Sequence, residues 1–249
     1  MPSRDPRLWL RNLIYPGLDL HTRNRAALCR FWRTGSRDVL DAGSGNGYFS
    51  WLAYRSGARV VGITRDAAEA AKARDLLLGY RRADPDRLRF EQRNLYELAN
   101  ETRSFDEIIC FETLEHIGRD GEVVREFYRI LRPDGCLHLC CPNSWHPRHQ
   151  AEELDREERG GHVRAGYDEQ DYRRLLEPLG FKIDRVVGIG PNLLYRADAL
   201  LRAIRNRFGD VSALPLFPML VPFVWFAREN PPVPFSLYVR AVKQPARPD

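Results

Sequence analysis

An apolar strand at positions 38–42 runs directly into Gly43-Ser44-Gly45-Asn46-Gly47, and the residues after it carry the apolar spacing of a helix over 48–56. Glycine tolerates positive φ and lacks a Cβ, so a turn this rich in it can close tightly and bring backbone against a ligand. The same alternation then repeats along the chain. Short apolar runs predict strands at 59–63, 88–92, 105–111, 135–141 and 181–188, with a last strand at 235–242. Helical spacing lies between them at 67–78, at 122–131 before Pro133, and at 169–179 before Gly180. Strand and helix alternating over short connections predict a doubly wound, mostly parallel α/β sheet, with its ligand crevice at the carboxyl ends of the strands.

The 249 residues are enough for one such domain with additions, and 43% hydrophobic content supplies a core. We expect a single domain: a head at 1–36 acting as a lid, a cofactor-binding core at 37–188, an apolar insert at 189–233 forming a cap, and the last strand and tail at 234–249. A stretch of mixed charge at 144–164 is a further long connection. The net charge of +5 is mild for this length, and only Lys72, Lys182 and Lys243 among the cations are not arginine, so no nucleic-acid partner is expected. Positions 1–11 lack the apolar run of a secretion signal, and no uninterrupted apolar run reaches the roughly 20 residues of a membrane span. Cys29, Cys110, Cys136, Cys140 and Cys141 form no CxxC pair, which argues against a disulfide framework or zinc ribbon and for a reduced, cytoplasmic protein.

The glycine spacing discriminates among cofactors. A dinucleotide site uses GxGxxG with an acid about 20 residues further on. This turn is GxGxG, follows Asp41, and precedes no phosphate-binding lysine. A pyrophosphate sits poorly beside Asp41, whereas a cofactor with a cationic amino-acid end does not. That combination favours S-adenosylmethionine (SAM).

Several motifs in order carry a resemblance. The run 39–49, Val-Leu-Asp-Ala-Gly-Ser-Gly-Asn-Gly-Tyr-Phe, is similar to the first motif of the class I SAM-dependent methyltransferases. The run 105–117, Phe-Asp-Glu-Ile-Ile-Cys-Phe-Glu-Thr-Leu-Glu-His-Ile, resembles their fourth-strand signature, and 127–135 resembles the helix and turn before their fifth strand. Gly161-His162-Val163-Arg164 through Leu179-Gly180-Phe181 is similar to a segment of members acting on small molecules and sugars. The resemblance covers about 37–187 plus the final strand. It implies a Rossmann-like seven-stranded sheet whose last strand is antiparallel. It also implies that Asp41, Gly43, Ser44, Gly45, Asn46 and Gly47 hold the methionine end and sulfonium. Leu95 would line the adenine pocket, with Phe111 and Glu112 closing over the cofactor. Two positions depart from the family pattern. Thr64 stands where an acid ending the second strand usually holds the ribose, as in the cyclopropane-synthase branch, and Asn94 stands where an acid usually meets the adenine amine. A hydroxyl gives one contact where a carboxylate accepts from both ribose hydroxyls.

Methyl transfer to oxygen or nitrogen requires loss of a proton, so a base or a metal is sought near the crevice. If a helix opens near Thr113, Glu112, Glu115 and His116 share one face at its mouth. This run resembles one in ubiquinone-biosynthesis O-methyltransferases that can bind a divalent cation, which makes the three a candidate metal set, although no metal is expected. Carboxylates opening a helix are also ordinary N-terminal stabilisers. His162, in a glycine-rich loop, is the second candidate base. His146 and His149 face either substrate or solvent, and His138, flanked by Leu137 and Leu139, reads as a core histidine. Asn230-Pro231-Pro232 superficially matches the tetrapeptide that grips an exocyclic base amine, but it lies before the last strand, whereas the fourth strand ends in Phe111-Glu112-Thr113-Leu114.

The segment 214–226 is apolar and broken by Pro215, Pro218 and Pro222. It reads as a substrate-cavity wall, a dimer contact or a patch that dips into a membrane, with Arg196, Arg202, Arg205 and Arg207 upstream for headgroups or a substrate phosphate. The run 8–15 joins that surface or covers the cofactor. The expectation is a SAM-dependent methyltransferase acting at oxygen of a small-molecule, glycan or lipid-linked acceptor. Glu112, His116 and His162 stand nearest the chemistry. RNA methylation and SAM binding without catalysis are the alternatives, and the sequence leaves the oligomeric state open.

Overall fold

The computed structural model describes residues 15–33, 35, 37–98, 104–225, 227 and 229–245. In chain order they form α1 (Leu20–Arg25), β1 (Asp38–Ala42), α2 (Tyr48–Arg55), β2 (Arg59–Thr64), α3 (Ala67–Arg74), β3 (Leu88–Gln92), β4 (Phe105–Phe111), α4 (Asp120–Ile130) and β5 (Leu131–Pro142). There follow α5 (Pro147–Gln150), α6 (Glu169–Leu176), β6 (Phe181–Ile189), α7 (Asn192–Phe208), α8 (Phe217–Leu220), α9 (Pro222–Trp225) and β7 (Ser236–Lys243). The seven strands make one sheet in the order β3-β2-β1-β4-β5-β7-β6. Pairing is parallel from β3 through β5, and β7 runs antiparallel to both β5 and β6. The doubly wound Rossmann-like sheet with an antiparallel last strand is therefore present as expected.

Central strands covered on both faces must be apolar throughout, and Val39, Leu40 and Ala42 of β1 are fully buried. From β1 the chain steps outward to β2 and β3, then returns to β4 on the other side. The carboxyl ends of β1 and β4 thus flank the switch point where an open α/β sheet splits to form a crevice. His138 is a core histidine: Nδ1 lies 2.8 Å from the Tyr238 hydroxyl and Nε2 3.1 Å from Glu107, which also pairs with Arg37.

Several boundaries differ from the expectation. The helix expected at 67–78 is α-helical only to Arg74 and then widens into a π turn, Asp75–Tyr80. α4 starts two residues early, with Asp120 and Glu122 in its first turn, where acids complement the helix dipole. β5 is longer than 135–141 because Leu131 already pairs with Phe105, across a register shift. No helix opens at Thr113; a single 3-10 turn, Leu114–His116, stands there.

The head and the insert pack together. Asp198 of α7 accepts the Leu20 amide at 2.9 Å. Leu18, Leu20, Leu194, Ala197, Leu201, Ala213 and Phe217 form a separate apolar cluster. The prolines divide the segment after α7 into the one-turn helices α8 and α9, and Phe217 is buried. No helix among the described residues is long and apolar enough to cross a membrane. Most of the proposed lid run, at 8–14, lies outside the described residues, as does Phe226. At its edge Tyr15 and Pro16 touch the glycine turn: the Tyr15 hydroxyl donates to the Asn46 carbonyl at 3.4 Å, and Asn46 Nδ2 donates to the Pro16 carbonyl at 2.8 Å.

Candidate active site

The turn after β1 is held by its neighbour. The amides of Gly43 and Ser44 both donate to the Ile63 carbonyl at 2.8 Å, locking the ends of β1 and β2 together. Gly43 has φ +85°, and a Cβ there would stand 2.1 Å from Thr113 Oγ1. Gly43→Ala should therefore cost about 2 kcal/mol or more of stability, through strain and displacement of Thr113. Urea unfolding of wild type and variant checks this. At Gly45, φ +48°, a Cβ would meet nothing within 4 Å, because that backbone faces open space.

The open space is a cavity of about 640 Å³ at the carboxyl ends of the strands. Of the residues expected to hold a cofactor, Gly43, Gly45, Thr64, Asn94, Leu95 and Glu112 line it. Asp41, Ser44, Asn46, Gly47 and Phe111 do not; all but Asn46, which is exposed, are buried. Asp41 is buried, and its Oδ2 accepts from Ser50 Oγ at 2.5 Å. Burial pushes its carboxyl up to about 6, against the hydrogen bonds from Ser50. Ser44 Oγ is buried without a hydrogen-bond partner among the described residues. Asn46 binds the head instead, and Phe111 packs edge-on against Phe49 at 4.8 Å.

One cavity carboxylate that the sequence reading did not single out stands beside the end of β2. Glu69, in the first turn of α3, lines the cavity, and its Oε2 accepts from Thr64 Oγ1 at 3.0 Å. The available signal was the Asp66-x-x-Glu69 pattern that opens a helix; Asp66 does cap α3, accepting the Ala68 amide at 2.7 Å. On the adenine side Asn94 Oδ1 already accepts the Tyr96 amide at 3.1 Å, leaving one lone pair for a ligand. The connection 144–164 folds back over this side. Glu158 accepts from the Tyr96 hydroxyl and from the Gly118 amide, and lines the cavity. A shaped cavity with an open glycine cradle at Gly43 and Gly45 and the Thr64–Glu69 pair at the end of β2 suits SAM.

The expected grouping of Glu112 with Glu115 and His116 is not what the structure holds. Because the segment is a 3-10 turn entered from Glu112 at φ +49°, the three do not share a helix face. Glu112 points toward Arg25, at 2.6 Å, and Ser236 Oγ donates to it at 3.4 Å. Burial pushes the Glu112 carboxyl up, with Arg25 pulling against it. Glu115, His116 and His162 come together instead, their ligand atoms within 4.8 Å of one another. They could hold a divalent cation. Glu115 is fully buried with neither carboxylate oxygen hydrogen-bonded, and burial, then Glu112, pushes its pKa well up.

His116 lines the cavity, and its Nδ1 lies 3.0 Å from the Gly161 carbonyl. That contact requires the proton on Nδ1, which leaves Nε2 as the basic nitrogen. The His162 ring packs edge-on against it, centroids 4.7 Å apart, and the Glu152 carboxylate lies 3.1 Å from His162 Nδ1. Burial holds His162 below its ordinary pKa, with Glu152 opposing. Arg164 latches this loop to the 3-10 turn region by donating to the Ile117 carbonyl at 2.7 Å and to Asp120 at 2.5 Å. His146 and His149 face neither substrate nor solvent. Both are buried against Phe235, and His149 Nε2 sits 3.1 Å from its carbonyl. Asn230 is a loop residue before β7, accepting the Gly188 amide at 2.8 Å.

Comparison with known proteins bears on the family and the fold. The profile of the family described as methyltransferase domain matches residues 18–186, more than half of the chain. A probable S-adenosylmethionine-dependent methyltransferase of Mycolicibacterium smegmatis is 31% identical over 63% of this chain and 56% of its own length. The ubiquinone biosynthesis O-methyltransferase of Haemophilus ducreyi is 33% identical over 43% of this chain and 46% of its own. The chain thus spans about half the length of these curated relatives. Phosphoethanolamine N-methyltransferase 2 of Haemonchus contortus, solved with S-adenosyl-L-methionine, shares the fold with a TM-score of 0.60 at 18% identity, over 90% of this chain and 53% of that one.

Proposed function

The chain belongs to the class I SAM-dependent methyltransferase family, and from that premise we propose that it transfers the methyl group to a hydroxyl of a small-molecule, glycan or lipid-linked acceptor. The observation that carries an acceptor which must lose a proton is His116, a cavity-wall base whose tautomer is set by the Gly161 carbonyl; oxygen as the acceptor atom is supported by the likeness to the ubiquinone biosynthesis O-methyltransferase. SAM supplies an electrophilic methyl that an in-line nucleophile displaces from sulfur. The protein has three tasks around that step: orientation, exclusion of water and removal of a proton. The glycine turn, Thr64 with Glu69, and Asn94 with Leu95 orient the cofactor. The loop carrying Glu158 and His162 closes one side, latched through Arg164. His116 Nε2 takes the acceptor proton, and the carbonyl of Gly161 and the Glu152 carboxylate behind His162 favour the imidazolium that results. Base N-methylation is disfavoured because the end of β4 lacks the amine-gripping tetrapeptide.

Incubation with methyl-labelled SAM and a metabolite extract, followed by mass spectrometry, tests the proposal: a labelled O-methyl product supports it, and a product labelled at nitrogen or carbon overturns it. Calorimetry that finds no binding of SAM or of S-adenosylhomocysteine would sink cofactor use itself. Glu69→Gln should weaken SAM binding about tenfold with kcat little changed, since one charge-assisted hydrogen bond to the ribose is lost.

A second reading is favoured by one observation, the unpartnered buried carboxyl of Glu115 beside His116 and His162. A divalent cation there would lower the acceptor pKa directly. Activity that survives EDTA supports the histidine base, whereas loss on chelation with recovery on adding Mg²⁺, Mn²⁺ or Zn²⁺ assigns the step to a metal.

A further inference from the structure

We propose that the insert docks on an anionic lipid surface through one face of α7, an inference independent of the acceptor's identity. The proline-broken segment expected to supply such a patch turns mostly inward: Phe217 is buried in the cluster shared with Leu18 and Leu20, Leu214, Leu220 and Val221 pack against it, and Met219 stays exposed. The long helix before it carries further exposed apolar residues.

Leu193, Arg196, Leu200 and Arg207 recur at i, i+3, i+7 and i+14, which at about 100° per residue sets them within an arc of roughly 60°. All four are exposed, with Leu193 at 60% and Leu200 at 49%, and Phe208 in the last turn is 71% exposed. The adjoining stripe of Leu194, Ala197 and Leu201 is already buried in the cluster with Leu20 and Phe217, so the outer leucines are additional to the core. A single exposed leucine needs no explanation. Leu193 and Leu200 interleaved with Arg196 and Arg207 on one face, with Phe208 exposed in the last turn, form the pattern of an interfacial amphipathic surface.

Charge selects the occupant. Residues 192–208 carry Arg196, Arg202, Arg205 and Arg207 against one acid, Asp198. That acid is buried, and it pairs with Arg202 at 2.8 Å while accepting the Leu20 amide. The exposed face therefore offers apolar and cationic groups, which anionic headgroups over acyl chains complement. A second copy presented by a two-fold axis would set the same arginines against each other. The surface adjoins the crevice: Tyr195 stacks on Phe235 at 5.5 Å, and Phe235 precedes Ser236, whose hydroxyl reaches Glu112 on the cavity wall.

Co-sedimentation with vesicles tests this. The full chain should pellet with phosphatidylcholine vesicles in which about a third of the lipid is phosphatidylglycerol, stay in the supernatant with phosphatidylcholine alone, and be released by about 0.5 M NaCl. Arg196→Glu with Arg207→Glu should lower the partition coefficient about thirtyfold or more, and Leu193→Asp with Leu200→Asp should abolish pelleting. Unchanged S-adenosylhomocysteine affinity and melting temperature show that the variants are folded. A wild-type protein that ignores anionic vesicles overturns the proposal. So does pelleting that both double variants retain, or a dimer in the ultracentrifuge that Leu200→Asp dissociates.

Discussion

His116→Ala is expected to lower kcat by about 10²- to 10³-fold while the affinity for S-adenosylhomocysteine changes less than about twofold. The residue lines the cavity, and its Nδ1 is held 3.0 Å from the Gly161 carbonyl. Removing the ring deletes the proton acceptor without touching the glycine turn or Glu69. His162→Ala and Glu152→Gln act one step further back. Each should cost roughly tenfold in kcat, because they position His116 and offset its charge rather than meet the acceptor. Chemical rescue separates the roles. Added imidazole should restore part of the kcat of His116→Ala, whose missing side chain is the proton acceptor, and none of that of His162→Ala. Burial holds His162 below its ordinary pKa, so it is neutral at pH 7 and does not repel the proton arriving at its neighbour. A His116→Ala enzyme retaining most of its kcat would transfer the base role to another group or to a metal at Glu115.

What was legible in the sequence was set by local pattern. Continuous apolar runs gave β1 and β4, and the glycine turn placed the crevice, because a strand buried on both faces and a turn at positive φ each leave few alternatives. The candidate site was legible only in part. His116 and His162 stand far apart in the chain, and what joins them are long-range contacts with no periodic signature: His116 Nδ1 with the Gly161 carbonyl, and Arg164 donating to the Ile117 carbonyl. The grouping of Glu112 with Glu115 assumed a helix, and a single 3-10 turn redirected Glu112 to Arg25. Glu69 is not legible at the end of β2 because the chain places this acid on the first turn of the following helix, where it reads as an ordinary helix-opening carboxylate. The apolar insert was visible as composition. Which residues face inward depended on α1 packing against α7, and local sequence does not encode that contact.

Asp41→Asn should raise the stability of the cofactor-free protein at pH 7.5 while weakening SAM binding by about 100-fold. Burial lifts the Asp41 carboxyl from 3.8 to about 6, and only Ser50 opposes that shift. A folded-state value above the unfolded one means that the folded protein binds the proton more readily, so this carboxyl's contribution to stability declines as pH rises from about 3.8 to about 6. Above that window the ionised group costs about 3 kcal/mol. The amide recovers about 1–2 kcal/mol of it, because its N–H₂ is then buried without an evident partner. The cationic amino-acid end of SAM reverses the balance, since a positive charge near the turn favours ionised Asp41. Wild-type affinity should accordingly decline by up to about tenfold per pH unit below pH 6, with proton release on binding, and the variant should show neither effect. Calorimetry in buffers of different ionisation enthalpy reads the proton directly, and urea unfolding at pH 5 and 7.5 reads the stability. Equal proton release from wild type and variant would remove Asp41 from cofactor recognition and leave it the structural role of holding Ser50 at the start of α2.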